Sequence, residues 1–116
     1  MDIPTTENAQ VQMRKGLLEF ATLLIISNGP VYASDILHEL KQDDLLVVEG
    51  TLYPLLSRLK NAELLNYTWA ESTEGPPRKY YTLTTKGRET LAILSLSWTK
   101  LSKALNSLHK KYAQSR

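Results

Sequence analysis

The chain of 116 residues is long enough for one compact domain with a buried core. Its composition, 42% hydrophobic and 22% charged, is typical of a globular protein, and the lack of cysteine excludes disulfides, thiolate metal sites and cysteine nucleophiles. The net charge of +2 does not by itself indicate a partner. No apolar run reaches the roughly 20 residues of a membrane span, and the N-terminus is too polar for a signal peptide, so we expect a cytoplasmic protein.

The first part of the chain predicts an arm followed by a helix. Residues 1–10 are polar and contain Pro4, and they predict a flexible N-terminal arm. A first helix is predicted from Val11 to Ser27, and its second half is apolar nearly all round. A helix of that kind is buried on more than one side, and in so small a domain we expect the second side to contact another subunit. The sequence Asn28-Gly29-Pro30 then ends the helix.

A second, short helix is predicted from Ala33 to Gln42, with Ser34 or Asp35 accepting hydrogen bonds from the free N–H groups of its first turn. The third helix, residues 49–61, has a narrow apolar stripe at helical spacing that requires a core. The stripe consists of Leu52, Leu55, Leu56 and Leu59. The other face is small and hydrogen-bonding and carries almost no acid, so it could enter a DNA major groove. Taken alone, the stretch favours an ordinary amphipathic surface helix, and only the residues that follow it in the chain favour the DNA-binding interpretation. Pro54 removes one helical hydrogen bond and is expected to bend or loosen the first turn.

A change of period after the third helix predicts a β-hairpin. Residues 64–70 alternate apolar and polar side chains, residues 71–77 form a loop, and residues 78–83 make a second strand. We expect Tyr81 and Leu83 to lie in the core of the hairpin and Trp69 to hold the hairpin against the body. Three helices followed by a hairpin is the order of a winged helix-turn-helix, so the fold class is mainly α with a small β-hairpin.

A long last helix, for which we expect a role in association, completes the chain. Thr84 is its predicted N-cap, and apolar residues recur along it at alternating spacings of three and four, from Leu91 to Tyr112. This heptad pattern predicts a seam against another helix. The chain therefore divides into an arm (1–10), a winged helix-turn-helix domain (11–84) and a C-terminal dimerisation helix (85–116). The predicted dimer interface consists of Leu18, Leu24, Leu94, Trp98, Leu101, Leu105, Leu108 and Tyr112.

Two motifs give the chain a specific resemblance. The first is Gly50-Thr51-Leu52-Tyr53-Pro54-Leu55-Leu56 with Arg58-Leu59, and the second is Arg78-Lys79-Tyr80-Tyr81 with Leu83-Thr84, followed by Gly87. Through them the chain resembles the PadR family of bacterial transcriptional regulators, in its short form, from about residue 17 to residue 98. It departs from the family pattern at Val48-Glu49, where relatives carry a polar cap, and at the wing tip, Gly75 to Arg78, which has fewer basic residues.

The resemblance implies a homodimeric winged-helix repressor of a pseudo-palindromic DNA operator. Its third helix would lie in the major groove and its wing, about residues 65–83, along the backbone or minor groove. The residues that it implies for DNA contact are Tyr32, Thr51, Tyr53, Pro54, Ser57, Arg58, Arg78 and Lys79. Arg58 could instead be solvated or form an ion pair within the chain, and Tyr53 could pack on a neighbouring helix.

Trp98 has two interpretations. In some drug-sensing relatives a tryptophan at the matching place stacks on flat aromatic effectors between the subunits, whereas a tryptophan in a heptad seam is usually interface core. Alternatives to a DNA-binding regulator are a winged-helix module that binds protein, since fold does not dictate function, and a sensor in which ligand binding is the main event. An enzyme is not expected, because the chain has only two histidines, on separate helices, and no phosphate loop, nucleophile elbow, metal-ligand cluster or cofactor motif.

Overall fold

The computed structural model describes residues 9, 13, 16–45, 47, 49–71 and 75–113. Most of the predicted arm, the predicted helix start at residue 11 and the departure at residue 48 lie outside these residues. The elements in chain order are the helices α1 (Leu18–Ile26), α2 (Ala33–Gln42) and α3 (Glu49–Asn61), the strands β1 (Leu65–Ala70) and β2 (Arg78–Leu83), and the helix α4 (Thr85–Tyr112). The predicted fold class, mainly α with a two-stranded hairpin, is therefore confirmed.

Helix α1 spans Leu18–Ile26 and ends where predicted, whereas its predicted start at residue 11 is not tested by the described residues. Gly16 and Leu17 form a turn, so α1 starts at Leu18, and glycine is a poor helix former. At the other end Gly29 adopts φ = 121°, a backbone conformation that residues with a β-carbon rarely adopt. Pro30 follows and prevents the helix from continuing. The expectation that α1 buries more than one side holds in part, because Leu18, Leu23 and Ile26 are buried while Leu24 keeps 44% of its surface exposed.

The core is formed where the three short helices meet the base of the hairpin. The leucine stripe of α3 is buried as predicted, with no residue of the four more than 7% exposed. The buried hydrophobic residues are Leu18, Leu23, Ile26, Ile36, Leu40, Leu52, Leu55, Leu56, Leu59, Leu64, Leu65, Tyr81 and Leu83. This core fixes the orientation of α3, because burial of the leucine stripe forces the opposite face outward.

The hairpin pairs antiparallel, with Leu65 opposite Leu83, Tyr67 opposite Tyr81 and Trp69 opposite Lys79. Its base is fastened to the segment between α1 and α2, because Val31 and Tyr81 exchange two backbone hydrogen bonds of 3.2 and 2.8 Å. The expectation that Tyr81 and Leu83 lie in the core is confirmed. The expectation that Trp69 holds the hairpin to the body is wrong, because Trp69 is 62% exposed at the end of β1 that extends beyond the core.

Helix α4 starts in the core and then projects from it. Thr84 caps the helix as predicted, since its hydroxyl oxygen accepts a 2.9 Å hydrogen bond from the Gly87 N–H and donates one of 2.7 Å to the Glu63 carbonyl. The first turns pack on the body through Leu91 and Leu94. Its 28 residues span about 42 Å at 1.5 Å per residue, more than the core can cover. Among the described residues, no helix is long and apolar enough to cross a membrane.

Candidate nucleic-acid interface

The outward face of α3 carries five of the eight residues expected to contact DNA. These residues, all exposed, are Thr51, Tyr53, Pro54, Ser57 and Arg58. The face has hydroxyl groups, a guanidinium group and a proline ring, and its only acid is Glu49 in the first turn. These are groups that can donate hydrogen bonds to phosphates and base edges or contact a thymine methyl group.

Pro54 lies inside α3, which is helical throughout from Glu49 to Asn61. Proline has no N–H, so the carbonyl of Gly50 lacks its usual partner within the helix. Gly50 is exposed, and its carbonyl can therefore be hydrated or accept a bond from a ligand. The bend expected in the first turn does not interrupt the helix.

Arg58 is held loosely at the outer face of α3. Its guanidinium group lies 3.5 Å from the Glu19 carboxylate of α1, and the two side chains are 68% and 39% exposed. An ion pair with this exposure contributes only about 0–1 kcal/mol, so Arg58 can leave it at little cost. The alternative of an intramolecular ion pair is thus realised in the free protein, and it does not compete strongly with a phosphate or a guanine.

Tyr32 joins the start of α2 to the hairpin. Its backbone N–H donates to the Asp35 carboxylate at 3.0 Å, which confirms an acidic acceptor in the first turn of α2. Its ring stacks on Tyr80 with centroids 4.0 Å apart, and the Arg78 guanidinium lies 5.1 Å from the Tyr32 centroid. The hydrogen bond between the two hydroxyl groups raises the pKa of Tyr32 above its ordinary value. The hydroxyl of Tyr32 therefore remains protonated, and able to donate, at neutral pH.

The wing holds its cations on aromatic rings rather than on carboxylates. The Lys79 ammonium group lies 4.4 Å from the Tyr67 centroid and 5.2 Å from that of Trp69, and Lys60 of α3 lies 5.4 Å from Tyr67. Within the described residues, no acid lies within ion-pair distance of Arg78 or Lys79. Cation–π contacts leave the positive charge uncompensated, so these groups remain available to an anion.

A cleft of about 430 Å³ opens between the start of α2, the exposed side of α3 and the wing. Its lining consists of Tyr32, Ala33, Ser34, Tyr53, Trp69, Arg78, Lys79 and Tyr81. Four of the eight expected DNA contacts, from three different elements, thus lie around one opening. The other four follow the outer face of α3 beside it. The arrangement is an aromatic trough with two cations and several hydroxyl groups, which suits a phosphate backbone.

Three residues of this region were missed by the sequence reasoning. Tyr80 stacks on Tyr32, Ser34 lines the cleft, and Trp69 lies exposed at its edge. The alternation of β2 could have indicated Tyr80, because it lies on the face opposite the buried Tyr81. The position of Ser34 indicated only a hydrogen-bond acceptor in the first turn of α2. The alternating pattern of β1 does not show that the core ends before Trp69.

The residues expected at a dimer interface differ in exposure. Leu18 is buried within its own chain, at 8% exposure, so here it is a core residue, and Leu94 is half-buried. Leu24 and five residues of α4 remain exposed. These are Trp98, Leu101, Leu105, Leu108 and Tyr112, which are between 43% and 62% exposed. Trp98 also faces Phe20 of α1, with centroids 6.3 Å apart. Among the residues that the structure describes, Leu101, Leu105 and Leu108 therefore form an apolar stripe that leaves the core along α4 and stays exposed.

Comparison with known proteins gives consistent matches. Residues 22–93 match the family described as Transcriptional regulator PadR-like. A PadR-like transcription factor from Bacteroides fragilis is 55% identical, with a TM-score of 0.73, over 87% of this chain and 98% of that one. A PadR-like transcriptional regulator from Bacillus cereus is 41% identical, with a TM-score of 0.76, over 84% and 95%. Bacillus subtilis PadR, solved in complex with operator DNA, is 22% identical, with a TM-score of 0.63, over 67% of this chain and 47% of that one, and is similar in fold alone.

Proposed function

The chain belongs to the PadR-like family of transcriptional regulators, and on that premise we propose that it is a sequence-specific DNA-binding repressor that acts as a homodimer. In this proposal α3 enters the major groove, the wing follows the backbone or minor groove, and the chain acts beside the bacterial chromosome in the cytoplasm. The observation that carries the proposal is the cleft, which gathers Tyr32, Tyr53, Arg78 and Lys79 beside the outward face of α3.

The charge and chemistry of this surface support duplex DNA over a protein partner. Arg78 and Lys79 have no carboxylate partner in the described part of the chain, and Arg58 is loosely paired. These three cations offer positive charge to phosphates, whose neutralisation dominates DNA affinity. The hydroxyl groups of Thr51, Tyr53 and Ser57 can position the helix on the backbone. A protein-binding surface would be expected to expose a larger apolar patch, and on α3 the leucines are instead buried.

The exposed stripe of α4 supports the homodimer. Large apolar side chains at heptad spacing are unfavourable in water and form a seam when a second helix covers them. We propose residues 85–113 as the described part of the dimerisation helix, although its first turns also belong to the core of the DNA-binding domain. In a two-fold dimer the two copies of α3 would face half-sites about 34 Å apart.

The dimer is tested by a matched pair of substitutions. Leu105 and Leu96 are both exposed, at 60% and 71%, but nine residues at about 100° each place them on opposite faces of α4. We expect Leu105→Asp to convert the dimer to monomer in sedimentation equilibrium, because it places a charge in the seam. Leu96→Asp should leave the mass unchanged. A monomeric parent protein, or a Leu105→Asp variant that remains dimeric, would contradict this seam.

We also propose that a flat aromatic effector binds beside Trp98 and relieves repression. The supporting observation is that Trp98, 43% exposed, makes an open ring pair with Phe20 rather than a closed core contact. An effector there would act by changing the angle between the long helices of the dimer and hence the spacing of the recognition helices. Crystal structures with and without the aromatic ligand test this, and an unchanged spacing of α3 in the dimer would refute it.

The proposed function is tested by a salt titration of DNA binding. A labelled fragment from upstream of the protein's own gene is titrated in competition with random duplex at several salt concentrations. We expect the upstream fragment to win by about a thousandfold, the lower range of specific over non-specific binding, and affinity to fall steeply with salt. If the protein binds no duplex even at low salt, the protein-interaction module becomes the better description of this surface.

A further inference from the structure

Trp69 is an exposed tryptophan at the edge of the cleft, and the regulator function proposed above gives it no role. The indole is 62% exposed, although tryptophan is among the side chains most costly to leave in water. It makes an edge contact with Tyr67, with centroids 6.1 Å apart and planes at 86°, and this contact covers only part of the ring. The remaining surface of the indole faces the opening of the cleft.

The hairpin register places Trp69 beside Lys79, a cation that has no carboxylate partner among the residues that the structure describes. Trp69 pairs across the strands with Lys79, so the two side chains lie on the same face of the hairpin. That face also carries Tyr67 and Tyr81 and looks toward the start of α2 and toward Tyr53 of α3. Any chain with regularly spaced negative charges that neutralises Lys79 in this cleft must therefore run past the indole.

We propose that Trp69 is a further DNA-binding residue, whose indole packs on the deoxyribose edges of the strand that crosses the cleft while Lys79 neutralises the adjacent phosphate. This inference rests on the proposed DNA-binding function. A DNA backbone alternates anionic phosphates with apolar sugar edges, and the cross-strand pair of Lys79 and Trp69 presents a cation next to an apolar ring. Sugar and phosphate contacts of this kind position a protein on DNA but do not read the bases.

The proposal fixes what each residue contributes to binding. Trp69 carries no charge, so its loss should weaken operator and random duplex by the same factor and leave the salt dependence unchanged. Loss of Lys79 should instead lower the slope of log affinity against log salt by about 0.9, the value for one phosphate contact. A purely structural role for Trp69 in holding Lys79 predicts a different result, because Trp69→Ala would then weaken binding no further in a protein that already carries Lys79→Ala.

The first test uses substitution and salt-dependent binding to fluorescein-labelled duplexes followed by anisotropy. We expect Trp69→Ala to weaken both the upstream duplex and a random duplex about tenfold, the effect of losing roughly 50–60 Å² of apolar contact. Trp69→Phe should recover most of that loss. Asn66→Ala is the matched control, since Asn66 is exposed on the opposite face of β1, across from Thr82, and the variant should bind as the parent does. Unchanged binding of Trp69→Ala would overturn the proposal.

The second test observes the indole directly. The chain has two tryptophans, so Trp98→Phe leaves Trp69 as the only one. Its emission should change as duplex is added, with the same midpoint as the anisotropy of the labelled DNA. If the anisotropy reports binding while the Trp69 emission stays constant, this inference fails and the proposed function stands. If no duplex changes the anisotropy even with the parent protein, in which Trp98 is intact, the proposed function fails and this inference falls with it.

Discussion

Arg58 gives the sharpest test of the orientation of α3 against DNA. In the free protein its guanidinium is 3.5 Å from the Glu19 carboxylate, and its side chain is 68% exposed. On binding, the guanidinium would leave this pair for a phosphate or a guanine edge. The substitution Arg58→Ala removes the DNA contact, whereas Glu19→Gln removes only the competitor. The two variants should therefore change DNA affinity in opposite directions.

The size of each effect follows from the two interactions. A good contact from arginine to DNA contributes about 1–3 kcal/mol, and breaking an exposed ion pair offsets up to about 1 kcal/mol of it. Arg58→Ala should therefore lose about 1–2 kcal/mol, or roughly fivefold to thirtyfold in affinity. Glu19→Gln should tighten binding by up to about fivefold, since it frees Arg58 and removes a negative charge near the DNA. In the double variant the benefit from Glu19→Gln should fall to its general charge effect alone.

The assay is fluorescence anisotropy with the upstream duplex at one fixed salt concentration, repeated for the two single variants and the double variant. Arg88→Ala is the matched control, because it removes an exposed arginine from the first turn of α4 and leaves α3 intact. Each variant is also checked for an unchanged oligomeric state by sedimentation. Full-strength binding by Arg58→Ala would show that α3 does not present this face to DNA.

Two further predictions concern stability. Gly87→Ala should lower the free energy of unfolding, measured in urea, by about 1–3 kcal/mol, because a β-carbon at this position would overlap the Leu64 carbonyl oxygen. Gly50→Ala is the control and should not destabilise the protein, because a β-carbon there would have no neighbour within 4 Å. Equal urea midpoints for the two variants would refute the close packing at Gly87. Burial raises the pKa of Tyr81 above 10.0, so above that pH the unfolded chain releases a proton that the native state retains, and stability falls. Between about pH 9 and pH 11 the melting temperature of the Tyr81→Phe variant should fall by less than that of the parent protein. Equal falls in melting temperature for the two proteins would contradict this account.

Most of the fold could be predicted because its signals are local and periodic. The leucines of α3 recur at helical spacing, and all four are buried as expected. The alternation of β1 and β2 predicted the strands to within one residue. The same patterns show which face of an element points inward, but they do not show how far the body extends beneath it. Trp69 lies on the inward face of the hairpin and is nevertheless exposed, because the described helices leave an open cleft at this end of β1.

The candidate site required long-range information that the sequence did not display. The stack of Tyr32 on Tyr80 depends on the bridge between Val31 and Tyr81, residues 50 positions apart, which places the start of α2 beside β2. Family motifs indicated Arg78 as a phosphate contact, but they did not indicate that an aromatic ring would hold its guanidinium. Neither fact follows from spacing within one element.

This aromatic support has a consequence for binding energy. Flexible cations such as Lys79 carry about 2 kcal/mol of rotamer entropy, much of which is lost when they are fixed on a phosphate. In the free protein Lys79 already rests on Tyr67 and Trp69, and Arg78 rests on Tyr32, so part of that ordering cost falls on folding instead of binding. A wing with few basic residues can then bind the backbone as firmly as a more basic but less ordered one. The scarcity of charge at the wing tip is thus compatible with tight DNA binding, because the rings fix the few cations that are present.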